Sequence, residues 1–207
     1  MNVKIPRARA ITREPEVPFA AYSREVRGYH GCDREVADRL VSGEPFTPSS
    51  NEWDWLGDGI YFWEHGPDRA FRWAARQSRI NHPAVVGALI QLGRCLDLLD
   101  TRFTSQLRAF YARWVWLLQL RGETLPENRG KGRYLDRSVI EEFLVRAREI
   151  GIVYDTVRSA FVEGEPIYPG SGFYTETHIQ VAVRNPQCIV GVFRPAFLIQ
   201  AEGANDE

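Results

Sequence analysis

The sequence lacks an apolar run long enough to cross a membrane. Its longest candidate is WVWLLQL at residues 114–120, whereas a membrane helix needs about 18 such residues. The opening stretch, MNVKIPRARAITREPEV, contains no continuous apolar segment of the kind found in secretory signals. These two absences predict a cytoplasmic protein.

Cysteine is scarce, with three residues far apart in the chain, Cys32, Cys95 and Cys188. An odd, dispersed set excludes a disulfide framework and a CxxC zinc site, and it predicts buried thiols that pack as small apolar groups. The four histidines are also scattered, so their spacing supports no metal centre. Phosphate-loop, dinucleotide-fold, hydrolase and zincin motifs are missing as well.

The chain also has no large excess of positive or negative charge, since its formal net charge is −1. The charges are unevenly placed, because residues 102–137 carry eight Arg or Lys against Glu123, Glu127 and Asp136. Such a stretch is typical either of an ordinary solvated surface or of a face that binds phosphates, and both interpretations stay open.

The composition is that of a folded globule, with 44% hydrophobic and 26% charged residues in a chain of 207. That length suits one domain. Helical spacing predicts helices at 32–43, after Pro67, at 101–120 and at 136–151, and β-type runs predict strands at 24–31, 60–63, 84–92, 154–161, 178–185 and 188–195. This mixture, with strands clustered late, favours an α+β fold.

We assign residues 1–27 to an N-terminal arm, 28–199 to the domain and 200–207 to an acidic tail.

Two loops between these elements are candidates for a binding site. NEWDWLGDGIYFW at 51–63 surrounds two glycines with aromatic and acidic residues, and VEGEPIYPGSGFYTET at 162–177 is a long Gly/Pro loop. Long loops inside a compact domain are uncommon unless they serve a site. We expect the aromatic loop to form the wall of a cleft.

Three segments occur in an order that carries a family resemblance. They are Tyr29-His30-Gly31 at the end of a predicted strand, LGDGIYF at 56–62 entering the next strand, and THIQVAV at 177–183 in a late strand. This order resembles the ADP-ribosyltransferase superfamily, in the branch of poly(ADP-ribose) polymerases and related bacterial toxins whose signature is His-Tyr-Glu. The resemblance covers most of residues 28–199. It implies split antiparallel β-sheets flanked by helices, with NAD+ as co-substrate and no metal.

The resemblance also implies a role for each matching residue. The backbone of Gly31 would grip the nicotinamide carboxamide, His30 would hydrogen-bond a ribose hydroxyl, and Tyr61 would stack on the nicotinamide ring. The other residues expected to meet the ligand in the same pocket are Tyr29, Gly59, Arg72 and Trp73.

The third segment departs from the family pattern, because Gln180 stands where a glutamate usually binds the ribose and stabilises the developing cation. A neutral amide keeps the hydrogen bond but loses the negative charge, at a cost of several kcal/mol in barrier. Chain elongation is therefore not expected, and any activity should be mono-ADP-ribosylation. Glu176 shares a strand face with Gln180 and is an expected catalytic carboxylate, with Glu163 and Glu165 in the preceding loop as alternatives.

The sequence thus favours an intracellular mono-ADP-ribosyltransferase that modifies a macromolecule, with nucleic acid slightly favoured over protein by the basic 102–137 stretch. By family analogy it would be a bacterial toxin or a phage-defence effector, with an antitoxin or inhibitor protein as a possible partner. Two alternatives stay open. One is a catalytically silent module that binds NAD+ or ADP-ribose and uses the 101–120 helix for a partner. The other is an unrelated nucleic-acid-binding protein.

Overall fold

The structure, a computed structural model, describes residues 22–130 and 132–196. Within those ranges it contains four helices, α1 (Arg34–Val41), α2 (Pro67–Ala75), α3 (Thr101–Leu120) and α4 (Tyr134–Glu149). The strands are β1 (Tyr22–Asp33), β2 (Ile60–Glu64), β3 (Pro83–Gly93), β4 (Cys95–Asp97), β5 (Thr156–Phe161), β6 (His178–Val183) and β7 (Ile189–Phe193). A short 3-10 turn, Pro186–Cys188, precedes β7. The predicted α+β class is confirmed.

The seven strands form one sheet in the order β4-β5-β6-β2-β1-β3-β7. Neighbouring strands are antiparallel except β4 and β5, which run parallel. β2 pairs with β6 along its whole length, whereas its register with β1 consists of Gly28–Glu64 and Tyr29–Trp63. The sheet is therefore weakly joined between β1 and β2.

Side chains alternate between the two faces of the sheet, and each face has its own core. On one, called the α4 face, Val157 and Ala182 pack in a buried cluster with Leu144 of α4. Helix α2 covers another part of this face, where Ala70 packs with Trp63. Both helices are therefore held by apolar burial on the same side of the sheet.

The opposite face, called the α1 face, carries the second core. Phe62, Ile90 and Val181 form its centre, and Leu40 of α1 packs with Cys32 at one end. All three cysteines are buried, as predicted, and each is a free thiol. Burial raises the pKa of Cys32 and Cys95 to about 12 and that of Cys188 to about 11, so these thiols stay protonated near neutral pH.

The structure differs from the sequence predictions at several boundaries. β1 begins at Tyr22, so residues 22–27, expected in the N-terminal arm, belong to the sheet. Helix α4 begins at Tyr134, two residues earlier than predicted. β4 was not predicted, because its three residues are all buried and show no alternation. Residues 1–21 and the expected tail at 200–207 lie outside the described residues.

A buried guanidinium links three strands on the α1 face. Arg158 of β5 donates from Nε to Glu64 Oε2 of β2 at 2.6 Å, and from Nη1 to Asp97 Oδ2 of β4 at 3.0 Å. All three side chains are at most 4% exposed. Because Arg158 reaches Glu64 across β6, the triad fixes how four neighbouring strands align.

No helix of the described chain is both long and apolar enough to span a bilayer.

We expect Arg158→Met to lower the free energy of unfolding by about 3–5 kcal/mol, because Glu64 and Asp97 would stay buried without a counter-charge. Urea unfolding followed by circular dichroism measures this loss.

Arg146→Met is the matched control, since Arg146 also binds two carboxylates, Glu142 and Glu149, but at the exposed surface. It should cost less than about 1 kcal/mol. Equal losses in the two variants would contradict the stabilising role of the buried triad.

Candidate functional site

A cleft of about 730 Å³ opens on the α4 face beside α2. Its walls combine aromatic rings with charged groups of both signs. The lining residues are Trp53, Trp55, Trp73, Tyr134, Arg69, Arg76, Gln77, Glu163, Glu176, Gly132 and Gly164. Planar rings and guanidinium groups beside carboxylates suit a ligand that has both planar and anionic parts.

Helix α2 supplies the cationic wall of the cleft. Arg69 and Trp73 are four residues apart, which places them on one side of the helix, and Arg76, the C-cap residue, follows three residues later. The other side rests on β1 at Gly31, where a Cβ would lie 2.2 Å from the carbonyl oxygen of Ala70. Gly31 therefore lets α2 pack directly on the strand.

Arg69 binds both carboxylates of the cleft. Its two terminal nitrogens donate separately to Glu163 and Glu176, near the two ends of the 162–177 loop. A backbone bond of 3.1 Å from Glu176 N to Glu163 O also joins these ends. The Nε–H of Arg69 is buried and has no hydrogen-bond partner within the described residues. Arg69 thus closes the loop and keeps one donor unused.

His178 and Gln180 form a hydrogen-bonded chain at the start of β6. His178 Nδ1 lies 2.7 Å from the carbonyl oxygen of Glu176 and must donate, because a carbonyl only accepts. Burial lowers the pKa of His178, so its ring is neutral near pH 7 and Nε2 accepts. The amide nitrogen of Gln180, 3.2 Å from Nε2, is then the donor. This orientation directs Gln180 Oε1 away from His178.

The aromatic loop is fixed by hydrogen bonds of its acidic residues. Asp54 accepts from the Ser49 hydroxyl at 2.6 Å and from Asn51 N at 2.7 Å. Asp58 accepts from Arg137 Nη2 of α4 at 2.6 Å. These bonds hold the backbone that presents Trp53 and Trp55, two of the three tryptophans in residues 51–63, to the cleft.

The structure does not bring His30 to the cleft. His30 follows the Tyr29–Trp63 pair, so its side chain lies on the α1 face, whereas Tyr61 and Gln180 lie on the α4 face. Its Nδ1 lies 2.9 Å from the carbonyl oxygen of Tyr61, and aromatic rings enclose the imidazole. Burial lowers the pKa of His30. The imidazole thus bridges β1 and β2 just beyond their last backbone pair.

Tyr61 lies on the cleft's face of the sheet but does not line the cleft. Its hydroxyl donates to the Gly57 carbonyl at 2.7 Å and accepts from Leu56 N at 2.9 Å, which closes the turn before β2. Burial raises the pKa of the phenol. Gly59 packs closely against β6, because a Cβ there would lie 3.0 Å from the Val183 carbonyl oxygen.

Other expected residues do meet at the cleft. Trp73 and Glu176 line it, and Arg72 stands at its rim with Nη2 3.6 Å from Glu176 Oε2. Tyr29 instead packs beneath α2 and edge-on to Phe193. Gln180 is one contact away from the cleft, through the neighbouring imidazole. The three residues matched to the family signature therefore do not surround one hollow.

The cleft is also lined by residues that were not predicted from the sequence, namely Arg69, Arg76, Gln77, Gly132 and Tyr134. Arg69 stands three residues before Arg72, so helical spacing alone places both near one wall and is a signal that identifies it. Tyr134 reaches the cleft only because α4 packs beside the aromatic loop. Among residues 22–130 and 132–196, no group of three His, Cys, Asp or Glu side chains is arranged to hold a metal ion.

Comparison with known proteins leaves the family open. The chain is 26% identical over 188 residues to the uncharacterized protein MJ0359 of Methanocaldococcus jannaschii, in an alignment that covers 78% of this chain and 83% of that protein. No family model matches the chain, and no solved structure matches it. The proposed activity therefore rests on the site itself.

Tyr61→Phe tests whether the phenol serves the fold. We expect a loss of about 1–3 kcal/mol in the free energy of unfolding, because Leu56 N and the Gly57 carbonyl lose their buried partner. Chemical denaturation measures it. Tyr168→Phe, at a ring 57% exposed, is the control and should change little. If Tyr61→Phe is as stable as the wild type, the phenol does not have this role.

The two enclosed imidazoles predict a pH dependence of stability. Because the folded pKa values of His30 and His178 lie below the ordinary value, the unfolded chain binds more protons as the pH falls. Stability is then fully present above about pH 6.5 and declines as the pH drops toward the lowered folded pKa values. Urea midpoints between about pH 7.5 and about pH 5.5 measure the decline. His30→Gln should flatten it, and an unchanged slope in that variant would contradict the assignment.

Proposed function

We propose that the protein is a mono-ADP-ribosyltransferase that takes NAD+ into the cleft and transfers ADP-ribose to a macromolecule. The bond between ribose C1′ and the nicotinamide nitrogen breaks, and neutral nicotinamide leaves with the bonding electrons. A lone pair of the acceptor forms the new bond to C1′, and the acceptor's proton passes to a carboxylate or to water. The transition state resembles an oxocarbenium ion, so it requires negative charge close to the ribose.

The observation that carries the proposal is the pair of carboxylates, Glu163 and Glu176, in a cleft walled by tryptophans. One carboxylate beside the ribose stabilises the developing cation, and the second accepts the acceptor's proton. We assign the first role to Glu176, because it lies next to the strand that carries Gln180. It supplies the charge that the neutral amide of Gln180 lacks.

Arg69 pairs with both carboxylates when no ligand is bound, and Arg72 places a second guanidinium 3.6 Å from Glu176. The pyrophosphate of NAD+ is anionic, and a guanidinium binds phosphate oxygens through several parallel hydrogen bonds. When the pyrophosphate takes over part of the Arg69 guanidinium, the bond to Glu176 weakens and its charge becomes available to the ribose. Arg76 adds a further cation on the same wall.

The weak joint between β1 and β2 supports the expected position of the nicotinamide. The register ends at Tyr29–Trp63, and on the same side of β1 the Arg27 carbonyl accepts from His65 N at 3.1 Å. Because backbone groups alternate between the two sides of a strand, the N–H and C=O of Gly31 also point toward β2, beyond the last pair. A carboxamide needs one such donor and one such acceptor. The His30 imidazole bridges the two strands beside these groups.

Gln180 supports ribose binding without adding charge. Its amide nitrogen is occupied by His178, so Oε1 is the atom that remains to accept a hydrogen bond from a ribose hydroxyl. Gln180 would therefore bind the ribose as the family glutamate does, but it would not stabilise the developing positive charge. We therefore expect a slow transferase that adds single ADP-ribose units.

A catalytically silent NAD+- or ADP-ribose-binding module is the second candidate. The observation that favours it is that Arg69 already engages both carboxylates of the cleft, while Gln180 carries no charge. Such a module binds the dinucleotide but leaves its glycosidic bond intact.

Single-turnover release of nicotinamide separates the two candidates. The protein is incubated with labelled NAD+ and with separate protein, RNA and DNA pools, while calorimetry measures NAD+ affinity. Under the transferase proposal, Glu176→Gln should slow nicotinamide release by about 10²–10³-fold and change NAD+ affinity by less than about tenfold. Glu149→Gln, at an exposed surface carboxylate, is the control and should behave as wild type.

Two other outcomes reject the transferase. Binding of NAD+ without release in the presence of every pool identifies the silent module. Failure to bind NAD+ at all rejects both candidates.

A further inference from the structure

Trp53 is exposed although its backbone is held in place. Its side chain is 56% exposed, whereas that of Trp63, in β2, is 6% exposed. Asp54, the next residue, accepts from Ser49 and Asn51, and its own carbonyl accepts from Gly57 N at 3.0 Å. A large ring exposed on a fixed backbone can bind a partner by stacking, because little conformational entropy of the chain is lost on binding.

Trp55, Arg133 and Tyr134 extend this surface. The Arg133 guanidinium lies 5.3 Å from the centroid of the Trp55 ring, within cation–π range. The Tyr134 ring lies against Gly132, where a Cβ would be 2.4 Å from it. Tyr134 lines both the cleft and a second hollow of about 740 Å³. We call Trp53, Trp55, Arg133 and Tyr134 the aromatic platform.

Cations accompany the rings on both sides of Tyr134. In the cleft, Arg76 makes no ion pair with any residue of the described ranges. In the second hollow, Arg129 pairs with Glu127 at 3.6 Å, and both side chains are more than three-quarters exposed. The carboxylates of the cleft itself are already bound by Arg69. Free positive charge therefore lies near the rings, although it is modest in amount.

This combination favours a single-stranded nucleic acid over other macromolecules. Bases of a single strand stack on aromatic side chains, and phosphates contact nearby cations along the same groove. A duplex does not offer its bases in this way, because they are already stacked and paired.

We propose that the aromatic platform binds single-stranded nucleic acid, which is the acceptor class of the transferase. Binding to the platform is independent of the proposed function, and only the transfer step rests on it. Because stacking supplies most of the affinity, the salt dependence is shallow. With Arg76 and Arg133 as the phosphate contacts, log K falls against log salt with a slope of about −1.4.

Fluorescence anisotropy of a labelled single-stranded RNA of about 15 nucleotides, measured without NAD+, tests this binding. Trp53→Ala should weaken it by about 10- to 100-fold, and Trp53→Phe, which keeps a stacking ring, should weaken it less. Trp116→Ala is the matched control, because Trp116 is 57% exposed on α3, outside both hollows. It should leave the affinity unchanged.

Gly132→Ala gives a second, independent variant, since the added methyl group displaces the Tyr134 ring without removing any platform side chain. It should also weaken RNA binding. Equal affinities of Trp53→Ala and Trp116→Ala overturn the platform, and so does equal binding of a duplex of the same length.

The two proposals fail separately. RNA binding without nicotinamide release leaves the platform standing and rejects the transferase. Nicotinamide release without RNA binding rejects the platform as the acceptor site and leaves the transferase standing.

Discussion

One buried guanidinium constrains the sheet on which the cleft is built. Arg158 must keep two carboxylates beside it, because a charge withdrawn from water is costly unless it is paired. Its partners stand on β2 and β4, so the register across four strands is fixed. A slip of one residue would carry every side chain of a strand to the other face. With this register set, Trp63 and Gln180 stand opposite each other on the α4 face, where the cleft opens.

A second guanidinium acts on that face, with a different consequence. Arg69 joins α2 to both ends of the 162–177 loop through Glu163 and Glu176. The same bonds hold the two ends of the loop together and offset part of the negative charge that the proposed reaction needs. An anionic ligand that competes for the guanidinium would therefore link binding to activation of the carboxylates. Electrostatic complementarity of this kind relies on groups already in place before the reaction.

Two of the three residues that resemble the family signature, His30 and Tyr61, serve backbone groups in this structure. His30 satisfies the carbonyl of Tyr61 where the strands part, and the Tyr61 hydroxyl satisfies two backbone groups of the turn before β2. Buried polar backbone groups need such partners. The proposed chemistry accordingly rests on the carboxylates of the cleft and on the backbone of Gly31. The imidazole and the phenol shape the surroundings of that site.

The sequence by itself determined the local elements and the chemistry of single residues. Spacing located α3, and turn and strand patterns located β5 and β6. The three dispersed cysteines are buried, as their isolation in the chain predicted. The sequence also singled out the aromatic loop, Trp73 and Glu176, which line the cleft. Only the tertiary structure decided which groups share a hollow, because alternation along β1 and β2 directs His30 and Tyr61 to opposite faces once their register is set. The pairing of Arg69 with two distant carboxylates was likewise decided by long-range packing, which spacing along the chain does not specify.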